Sequence, residues 1–181
     1  MFDTLIKFSK DREKMDFYAT DKRATHELLK REQFISPVYE PACGEGHLSK
    51  RLIELGVKVH SSDLIDRGYG EVADFFGIEK WEGDLITNPP YNIAQKFVEH
   101  SLKVVPEGNK VAMFLKLTFL EGQARRKMFE QYPPKTVYVF SKRIKCAKGG
   151  NFDGCSSSAV AYAWFVWEKG FKGKPQIEWI D

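Results

Sequence analysis

The chain has 181 residues, of which 43% are hydrophobic and 14% aromatic, enough for one domain with a sizeable core. Its formal charge of +3 permits a nucleic-acid partner without requiring one. The cysteines, Cys43, Cys146 and Cys155, show no CxxC spacing and indicate neither a disulfide framework nor a zinc site. The N-terminus lacks the long apolar run of a signal peptide and no stretch is long enough to span a bilayer, so a cytoplasmic location is expected.

The N-terminal region is predicted to begin with a loosely packed arm, residues 1–15, whose sequence is mixed and charged. A helix over residues 21–32 is expected to follow. Thr20 or Asp21 can cap this helix, and its apolar residues recur at helical spacing. The rest of the chain is predicted to form the same single domain, because no linker or repeat interrupts it.

A strand–helix–strand unit over residues 37–63 carries the first candidate site. Its first strand ends in Glu40, a turn with Gly44 and Gly46 leads into a helix, and its second strand ends in Asp63. Such a unit gives a parallel pair with a right-handed crossover. Glycines in this turn allow positive φ and close approach of a ligand, and an acid at the next strand end can bind ribose hydroxyls. Position 49 is Ser, so the third glycine of the dinucleotide fingerprint is absent. The acid before the glycines, the helix after them and the acid at the next strand end favour a nucleoside site over an ordinary turn.

A short aromatic segment, Asp74-Phe75-Phe76, lies within the less regular stretch 64–83. A carboxylate beside a ring can bind the amino group and the face of an adenine. A capped and buried aromatic turn explains the same residues equally well. The sequence alone does not separate these two interpretations.

The central motif is a short apolar strand, residues 84–87, that runs into Asn88-Pro89-Pro90-Tyr91. The two prolines lack backbone N–H groups and fix their own φ, so the strand must end there. The Asn88 side-chain oxygen and the Pro89 carbonyl can accept both N–H bonds of a planar amino group, which frees the nitrogen lone pair to attack a methyl group in line. Tyr91 can stack on the planar substrate. The alternative is a plain strand followed by a Pro-Pro turn.

The remaining elements are a helix over residues 93–105, a fully apolar strand over 111–115, a helix over 120–132, and strands over 136–140 and 159–167. The segment 141–157 is predicted to be a long basic loop that becomes glycine-rich. A loop between two strands is usually short, so a substrate-gripping role is favoured over a mobile hairpin tip. The candidate contacts are Lys142, Arg143, Lys145 and Lys148.

The motifs Glu40–Gly46, Asp63, Asp74–Phe76 and Asn88–Tyr91, in that order, resemble those of the Rossmann-like, S-adenosylmethionine-dependent amino-methyltransferases. More closely, the chain resembles the small N6-adenine DNA methyltransferase-like proteins of phages and prophages. The similarity extends from Asp16 to Trp167. The Asn-Pro-Pro-Tyr motif indicates methylation of a planar nitrogen, but it does not separate adenine from other bases or from a protein glutamine.

The resemblance implies a role for each matching residue. The segment Asp16-Phe17-Tyr18-Ala19-Thr20 would lie across the methionine end of S-adenosylmethionine, and Glu40, Ala42, Cys43, Gly44 and Gly46 would surround its amino acid moiety. Asp63 would hold the ribose hydroxyls with Leu64 against the adenine, while Asp74 and Phe75 would contact the adenine amino group and ring. The residues of the catalytic motif would be Asn88, Pro89, Pro90 and Tyr91. No metal is implied.

Two features depart from that family. Many relatives have Pro after the Thr of the first segment, where this chain has Asp21. No separate target-recognition domain follows the motifs, although reading bases in duplex DNA and flipping one out normally takes more protein. The second departure puts the DNA substrate in question more than the type of reaction.

The sequence therefore predicts a Rossmann-like class I methyltransferase fold, with a mostly parallel sheet of about seven strands, an antiparallel edge and helices on both faces. The predicted reaction is methyl transfer from S-adenosylmethionine to the N6 amino group of adenine in DNA. The alternatives are the same chemistry on RNA or a protein glutamine, a silent cofactor-binding partner subunit, and a plain DNA-binding module. The expected partners are nucleic acid, with no membrane, and a second copy or another subunit that completes target recognition.

Overall fold

The structure is a computed structural model that describes residues 18–144, 146–148 and 160–181. Within these residues eight strands form one sheet in the order β10-β7-β9-β6-β5-β2-β3-β4, and β1 pairs with β8 in a separate antiparallel ribbon. The strands are β1 Tyr18–Thr20, β2 Val38–Glu40, β3 Val59–Asp63, β4 Glu71–Val72, β5 Leu85–Thr87, β6 Lys110–Lys116, β7 Thr136–Phe140, β8 Cys146–Lys148, β9 Tyr162–Glu168 and β10 Gln176–Ile180.

Four helices of the described chain cover the two faces of this sheet: α1 Lys22–Leu29, α2 His47–Glu54, α3 Ala94–Val104 and α4 Gln123–Gln131. Residues of α1 and α2 belong to one buried cluster, and residues of α3 and α4 belong to the other. Three 3-10 turns, Phe75–Gly77, Tyr91–Ile93 and Leu117–Leu120, connect elements near the carboxyl ends of the strands.

The apolar run in β6 shows why the sheet is buried on both faces. Val111, Met113 and Leu115 pack into the cluster under α3 and α4, whereas Ala112 and Phe114 pack into the cluster under α1 and α2. Side chains alternate between the faces of a strand, so a strand covered on both sides needs apolar residues at every position. The sequence pattern of this strand therefore predicted its place in the middle of the sheet.

The first helix begins where the sequence indicated. Asp21 is its N-cap, with the carboxylate accepting a hydrogen bond from the Arg23 backbone N–H at 2.9 Å. The helix ends at Leu29 rather than at residue 32. Glu32 lies beyond it and accepts hydrogen bonds from Lys110 and Tyr138, which ties the end of α1 to the sheet.

The predicted fold class is confirmed, with two differences in detail. The antiparallel strand, β9, is not at the edge: it lies between β6 and β7 and pairs antiparallel with both. A further strand, β10, pairs parallel with β7, whereas the sequence predicted no element after residue 167. Its Ile177 and Trp179 side chains are exposed, so this edge strand adds little to the buried core.

Part of the predicted loop 141–157 is a strand, since Cys146–Lys148 forms β8. No helix of the described residues is both long and apolar enough to cross a bilayer.

Candidate active site

A cleft opens at the carboxyl ends of the parallel strands β2, β3 and β5. This is the edge at which open α/β sheets bind ligands. Ten residues selected from the sequence line the cleft together: Thr20, Glu40, Ala42, Cys43, Asp63, Leu64, Asp74, Phe75, Asn88 and Pro90. The fold thus gathers motifs that lie up to 70 positions apart in the chain into one hollow.

Glu40 is the buried acid of this cleft, with only 1% of its surface exposed at the end of β2. The Ser49 hydroxyl of α2 donates a hydrogen bond to its carboxylate. Burial raises the pKa of Glu40 to about 8, although the hydrogen bond from Ser49 opposes that shift. Without a cation beside it, Glu40 is therefore mostly protonated at neutral pH, and a positively charged ligand group would favour its ionised form.

The turn between β2 and α2 positions Asp63 through its backbone. Gly44, at φ 55°, donates its N–H to Asp63 Oδ2 at 2.9 Å, and Ile65 donates to Oδ1 at 3.0 Å. Gly46 adopts φ 79°, and the space that a side chain would need there is filled by the ring of Tyr69. Gly46 is thus required by packing under Tyr69 and does not line the cleft, whereas Gly44 fixes the ribose-binding candidate Asp63.

Cys43 lines the cleft as a buried thiol. Its Sγ lies 3.5 Å from the Tyr69 carbonyl oxygen, and burial raises its pKa to about 12. A thiol with that pKa stays protonated and is a poor nucleophile. Cys43 therefore contributes shape and an apolar wall rather than covalent chemistry.

The Asp74–Phe76 segment combines both interpretations left open by the sequence. Asp74 Oδ1 accepts a hydrogen bond from the Phe76 N–H at 2.9 Å and caps a 3-10 turn, and Phe75 is buried against the rings of Phe97 and His100. Phe76, by contrast, is 41% exposed and also lines the cleft. The segment is a capped aromatic turn that nevertheless presents a carboxylate and a ring to the cleft.

Asn88 follows β5 and is held by Thr20 of β1. Its Nδ2 donates to the Thr20 hydroxyl at 3.1 Å. This hydrogen bond occupies Nδ2 and so fixes the orientation of the amide. The other amide atom, Oδ1, is the acceptor that the sequence predicted for a planar amino group. Thr20 itself is buried, so its side of this contact is shielded from solvent.

The two prolines set the geometry after Asn88. Pro89 is buried, and no residue of the described chain donates a hydrogen bond to its carbonyl oxygen, the second predicted acceptor. The Pro90 carbonyl accepts from Ile93 N at 3.2 Å and starts the 3-10 turn Tyr91–Ile93. Tyr91 does not line the cofactor-sized cleft but turns to a neighbouring hollow.

That second hollow lies beside the Asn88–Tyr91 turn. Tyr91, Asn92 and Ala94 form one side of it, and Leu115, Lys116, Thr118, Phe119 and Arg125 form the other. The Lys116 ammonium lies 4.8 Å from the centre of the Tyr91 ring. Sequence reasoning missed Lys116, the last residue of β6, because its place beside Tyr91 depends on the pairing of β6 with β5.

The basic segment approaches the site through backbone pairing. β8 pairs antiparallel with β1, so that Cys146 lies opposite Thr20 and Lys148 opposite Tyr18. The Arg23 guanidinium donates to the carbonyl oxygens of Lys142 and Arg143 at 3.2 and 3.3 Å. The side chains of Lys142 and Arg143 are exposed, and neither lines the cleft.

Some predicted contacts lie outside the described residues. These are Asp16, Phe17 and Lys145. For Tyr18 and Lys148 the structure gives the backbone pairing alone. Cleft residues that the sequence did not single out are Pro41, His47, Leu48, Ile65, Arg67, Phe76, Ile93 and Phe97.

Comparison with known proteins gives matches in structure alone. No family model matches the chain, and no curated protein matches it in sequence. A protein from Pyrococcus horikoshii proposed to be an RNA methyltransferase superposes with a TM-score of 0.63 at 15% identity, over 87% of this chain and 89% of that one. A modification subunit of a proposed type I restriction enzyme from Vibrio vulnificus superposes with a TM-score of 0.59 at 13% identity, over 96% of this chain and 49% of that one.

A third similar structure comes from Listeria monocytogenes and is described as a proposed class I S-adenosylmethionine-dependent methyltransferase. Its TM-score is 0.52 at 13% identity, over 87% of this chain and 61% of that one. The chain thus spans about half of the Vibrio protein and three-fifths of the Listeria protein. At these identities the likeness shows the fold, which is that of the class I S-adenosylmethionine-dependent methyltransferases.

Proposed function

We propose that this protein transfers a methyl group from S-adenosylmethionine to the exocyclic N6 amino group of adenine in DNA. One observation carries the proposal. The amide of Asn88 is fixed by Thr20 at the junction between an acid-lined cleft and the hollow that contains Tyr91. A methyl donor bound in the acid-lined cleft and a planar amino group placed beside Tyr91 would meet at Asn88.

The cleft residues fit the chemical groups of that cofactor. Glu40 would face its positively charged ammonium and sulfonium region, Asp63 its ribose hydroxyls, and Asp74 with Phe76 its adenine. When bound, the cofactor supplies an electrophilic methyl group on sulfur. The cleft is lined by three carboxyl side chains, Glu40, Asp63 and Asp74, which suits a ligand with net positive charge near its sulfur.

The reaction needs orientation rather than a protein nucleophile. Asn88 Oδ1 and the Pro89 carbonyl would accept the two N–H bonds of the amino group, so that its lone pair points at the methyl carbon. The nitrogen would take the methyl group that the cofactor supplies, with the C–S bonding electrons left on the cofactor's sulfur, and its surplus proton would pass to solvent. Tyr91 would hold the base by stacking on the ring face that Lys116 now covers.

The choice of DNA rests on the sequence resemblance and is supported by the likeness to the restriction-modification subunit from Vibrio vulnificus. RNA is the second candidate, because the Pyrococcus horikoshii neighbour is a proposed RNA methyltransferase. A protein glutamine would offer the same planar nitrogen to Asn88. We propose that a second copy or another subunit assists target recognition, as the Vibrio protein is itself described as one subunit of a larger enzyme.

The test is transfer of labelled methyl from S-adenosylmethionine to a panel of single- and double-stranded DNA, RNA and protein. Enzymatic digestion and chromatography of the labelled nucleosides should then identify N6-methyladenosine in its deoxy form. Label in ribonucleosides alone would move the substrate to RNA, and label in protein alone would move it to a side chain. Absence of cofactor binding by calorimetry would remove the methyltransferase proposal itself.

A further inference from the structure

The hollow next to Tyr91 differs in charge from the cofactor cleft, and this difference indicates its ligand. Among its described lining residues are two cations, Lys116 and Arg125, and no carboxylate. The cleft on the other side of the turn is lined by three carboxyl side chains, Glu40, Asp63 and Asp74, and by one cation, Arg67. The two hollows share no lining residue, since the turn gives Asn88 and Pro90 to one and Tyr91 and Asn92 to the other.

Arg125 supplies fixed positive charge but is already engaged. Its guanidinium donates to the backbone carbonyl oxygens of Phe119, Thr118 and Glu121, and it lies 5.0 Å from the centre of the Phe119 ring. These contacts hold the 3-10 turn after β6 against the first turn of α4. Arg125 therefore shapes the wall of the hollow rather than reaching for a ligand.

Lys116 is the cation that can reach a ligand. It is half-buried at the end of β6, and its ammonium rests over the Tyr91 ring at 4.8 Å. No carboxylate of the described residues lies within ion-pairing distance of Lys116 Nζ. A cation–π contact is worth less than a charge-assisted hydrogen bond to a phosphate, so the ammonium can exchange one for the other.

We propose that this hollow binds a backbone phosphate of the nucleic acid beside the target base, with Lys116 as the residue that positions it. A base that stacks on Tyr91 would take the ring face that Lys116 now covers, and the ammonium would move to the adjoining phosphate. This inference rests on the proposed role of Tyr91 in stacking the substrate. It assigns a phosphate-bearing substrate, as opposed to a protein glutamine, to the same site.

The binding test uses a fluorescein-labelled single-stranded DNA of 14 nucleotides, with the demethylated cofactor present, at several potassium chloride concentrations. Lys116→Ala should bind roughly three- to tenfold more weakly near 100 mM salt. It should also lower the slope of log affinity against log salt by about 0.7, the value for one phosphate contact on a single strand. Lys116→Arg keeps the charge and should bind within about twofold of wild type.

The matched control is Lys58→Ala, which removes an equally charged, exposed lysine from the amino-end edge of the sheet, just before β3. It should leave both the affinity and the salt slope unchanged. Demethylated cofactor should bind Lys116→Ala as tightly as wild type, and its thermal unfolding midpoint should match that of Lys116→Arg. Equal losses in Lys58→Ala and Lys116→Ala would overturn the proposal, because the effect would then be one of net charge.

Kinetics separate this inference from the methyl-transfer function. Lys116→Ala should raise KM for DNA by about the factor lost in binding and leave kcat within roughly threefold, because Lys116 does not act on the reacting nitrogen. A wild-type protein that methylates a glutamine peptide and does not bind DNA would overturn the phosphate site while the methyltransferase chemistry stood. In the opposite case, Lys116→Ala loses DNA binding but the wild-type protein methylates no substrate. That result would support the phosphate site and contradict the proposed reaction.

Discussion

The two hollows on either side of the Asn88–Tyr91 turn have opposite electrostatics. One is lined by Asp63, Asp74 and the buried Glu40 together with Arg67, and the other by Lys116 and Arg125 without a carboxylate among its described residues. A cationic ligand would therefore bind in the first hollow and an anionic ligand in the second, and the two would approach each other only across the turn. For a reaction between a cationic methyl donor and a polyanion, this arrangement both steers the partners and separates their binding sites.

The hollows also differ in how their key groups are held. Asp63 and Asn88 are fixed by hydrogen bonds from Gly44 and to Thr20, so the acid-lined side is preorganised. Lys116 lies over Tyr91 in a cation–π contact, which can exchange. The cofactor site is thus fixed and the substrate site adaptable. We therefore expect substitutions in the acid-lined cleft to change cofactor affinity, and substitutions beside Tyr91 to change substrate affinity.

The turn itself should give the largest effect. Asn88→Ala removes the amide oxygen that would orient the amino group, and we expect the methyl-transfer rate to fall on the order of a hundredfold or more. Affinity for the demethylated cofactor should stay within about twofold. The Asn88 amide donates to Thr20, and its proposed role is to orient the substrate amino group rather than to hold the cofactor. Single-turnover transfer and calorimetry measure the two quantities, and full activity in Asn88→Ala would remove this motif from the mechanism.

On the acid-lined side, Asp63→Ala should weaken cofactor binding by roughly 1.5–3 kcal/mol, the worth of charge-assisted hydrogen bonds to the ribose. Asp63→Asn keeps the acceptor but not the charge, and we expect an intermediate loss. Asp63 also accepts from the backbone of Gly44 and Ile65, so circular dichroism must show that both variants are folded. Unchanged calorimetric affinity in folded Asp63→Ala would contradict its role.

The positions of three site residues explain why the sequence could predict them. Glu40, Asp63 and Asn88 each end a parallel strand, and the carboxyl ends of neighbouring strands meet at one edge. Pro41 and Pro89 mark two of these strand ends in the sequence, and Asp63 follows from the spacing of the strand–helix–strand unit. These residues were therefore predictable without knowledge of the strand order.

Features that depend on distant pairing were not predictable in this way. The proximity of Lys116 to Tyr91 follows from β6 lying next to β5, and that of β8 to Thr20 follows from pairing across more than 120 positions. Gly46 was interpreted as a cofactor contact because a glycine required by the ring of Tyr69 looks the same in a sequence as one required by a ligand. Phe75 and Phe76 are adjacent, and only packing decides which ring is exposed.

In the basic segment, the exposed residues Lys142 and Arg143 should contribute affinity without sequence preference. Changing both to Ala should lower the salt slope of DNA binding by about 1.4–1.8, depending on whether the DNA is single- or double-stranded. The effect should be equal on two unrelated sequences, measured by fluorescence anisotropy. The matched control is Lys58→Ala with Lys174→Ala, two exposed lysines elsewhere on the surface. A loss confined to one sequence would mean that this segment reads bases.

The smallest effect should be a pH dependence in the acid-lined cleft, and it tests Glu40 directly. Burial raises the pKa of Glu40 to about 8 from the ordinary 4.5, so the folded protein without ligand holds a proton there at neutral pH. A cationic ligand would favour the ionised carboxylate and so displace that proton. Cofactor affinity should therefore strengthen as pH rises from about 6 toward 8, by at most about tenfold per pH unit for one released proton.

Glu40→Gln keeps the acceptor for the Ser49 hydroxyl but cannot ionise, so it should bind cofactor with less proton release than wild type. Calorimetry at pH 7 in two buffers of different ionisation enthalpy counts the protons released in each protein. The ligand-free protein offers a second check. The folded state keeps a proton that the unfolded chain loses above pH 4.5, so the free energy of unfolding should fall as pH rises from 4.5 to 8, and Glu40→Gln should lack that fall. Equal proton release and equal pH dependence of unfolding in the two proteins would show that Glu40 is already ionised, and that the cleft carries its full negative charge before any ligand arrives.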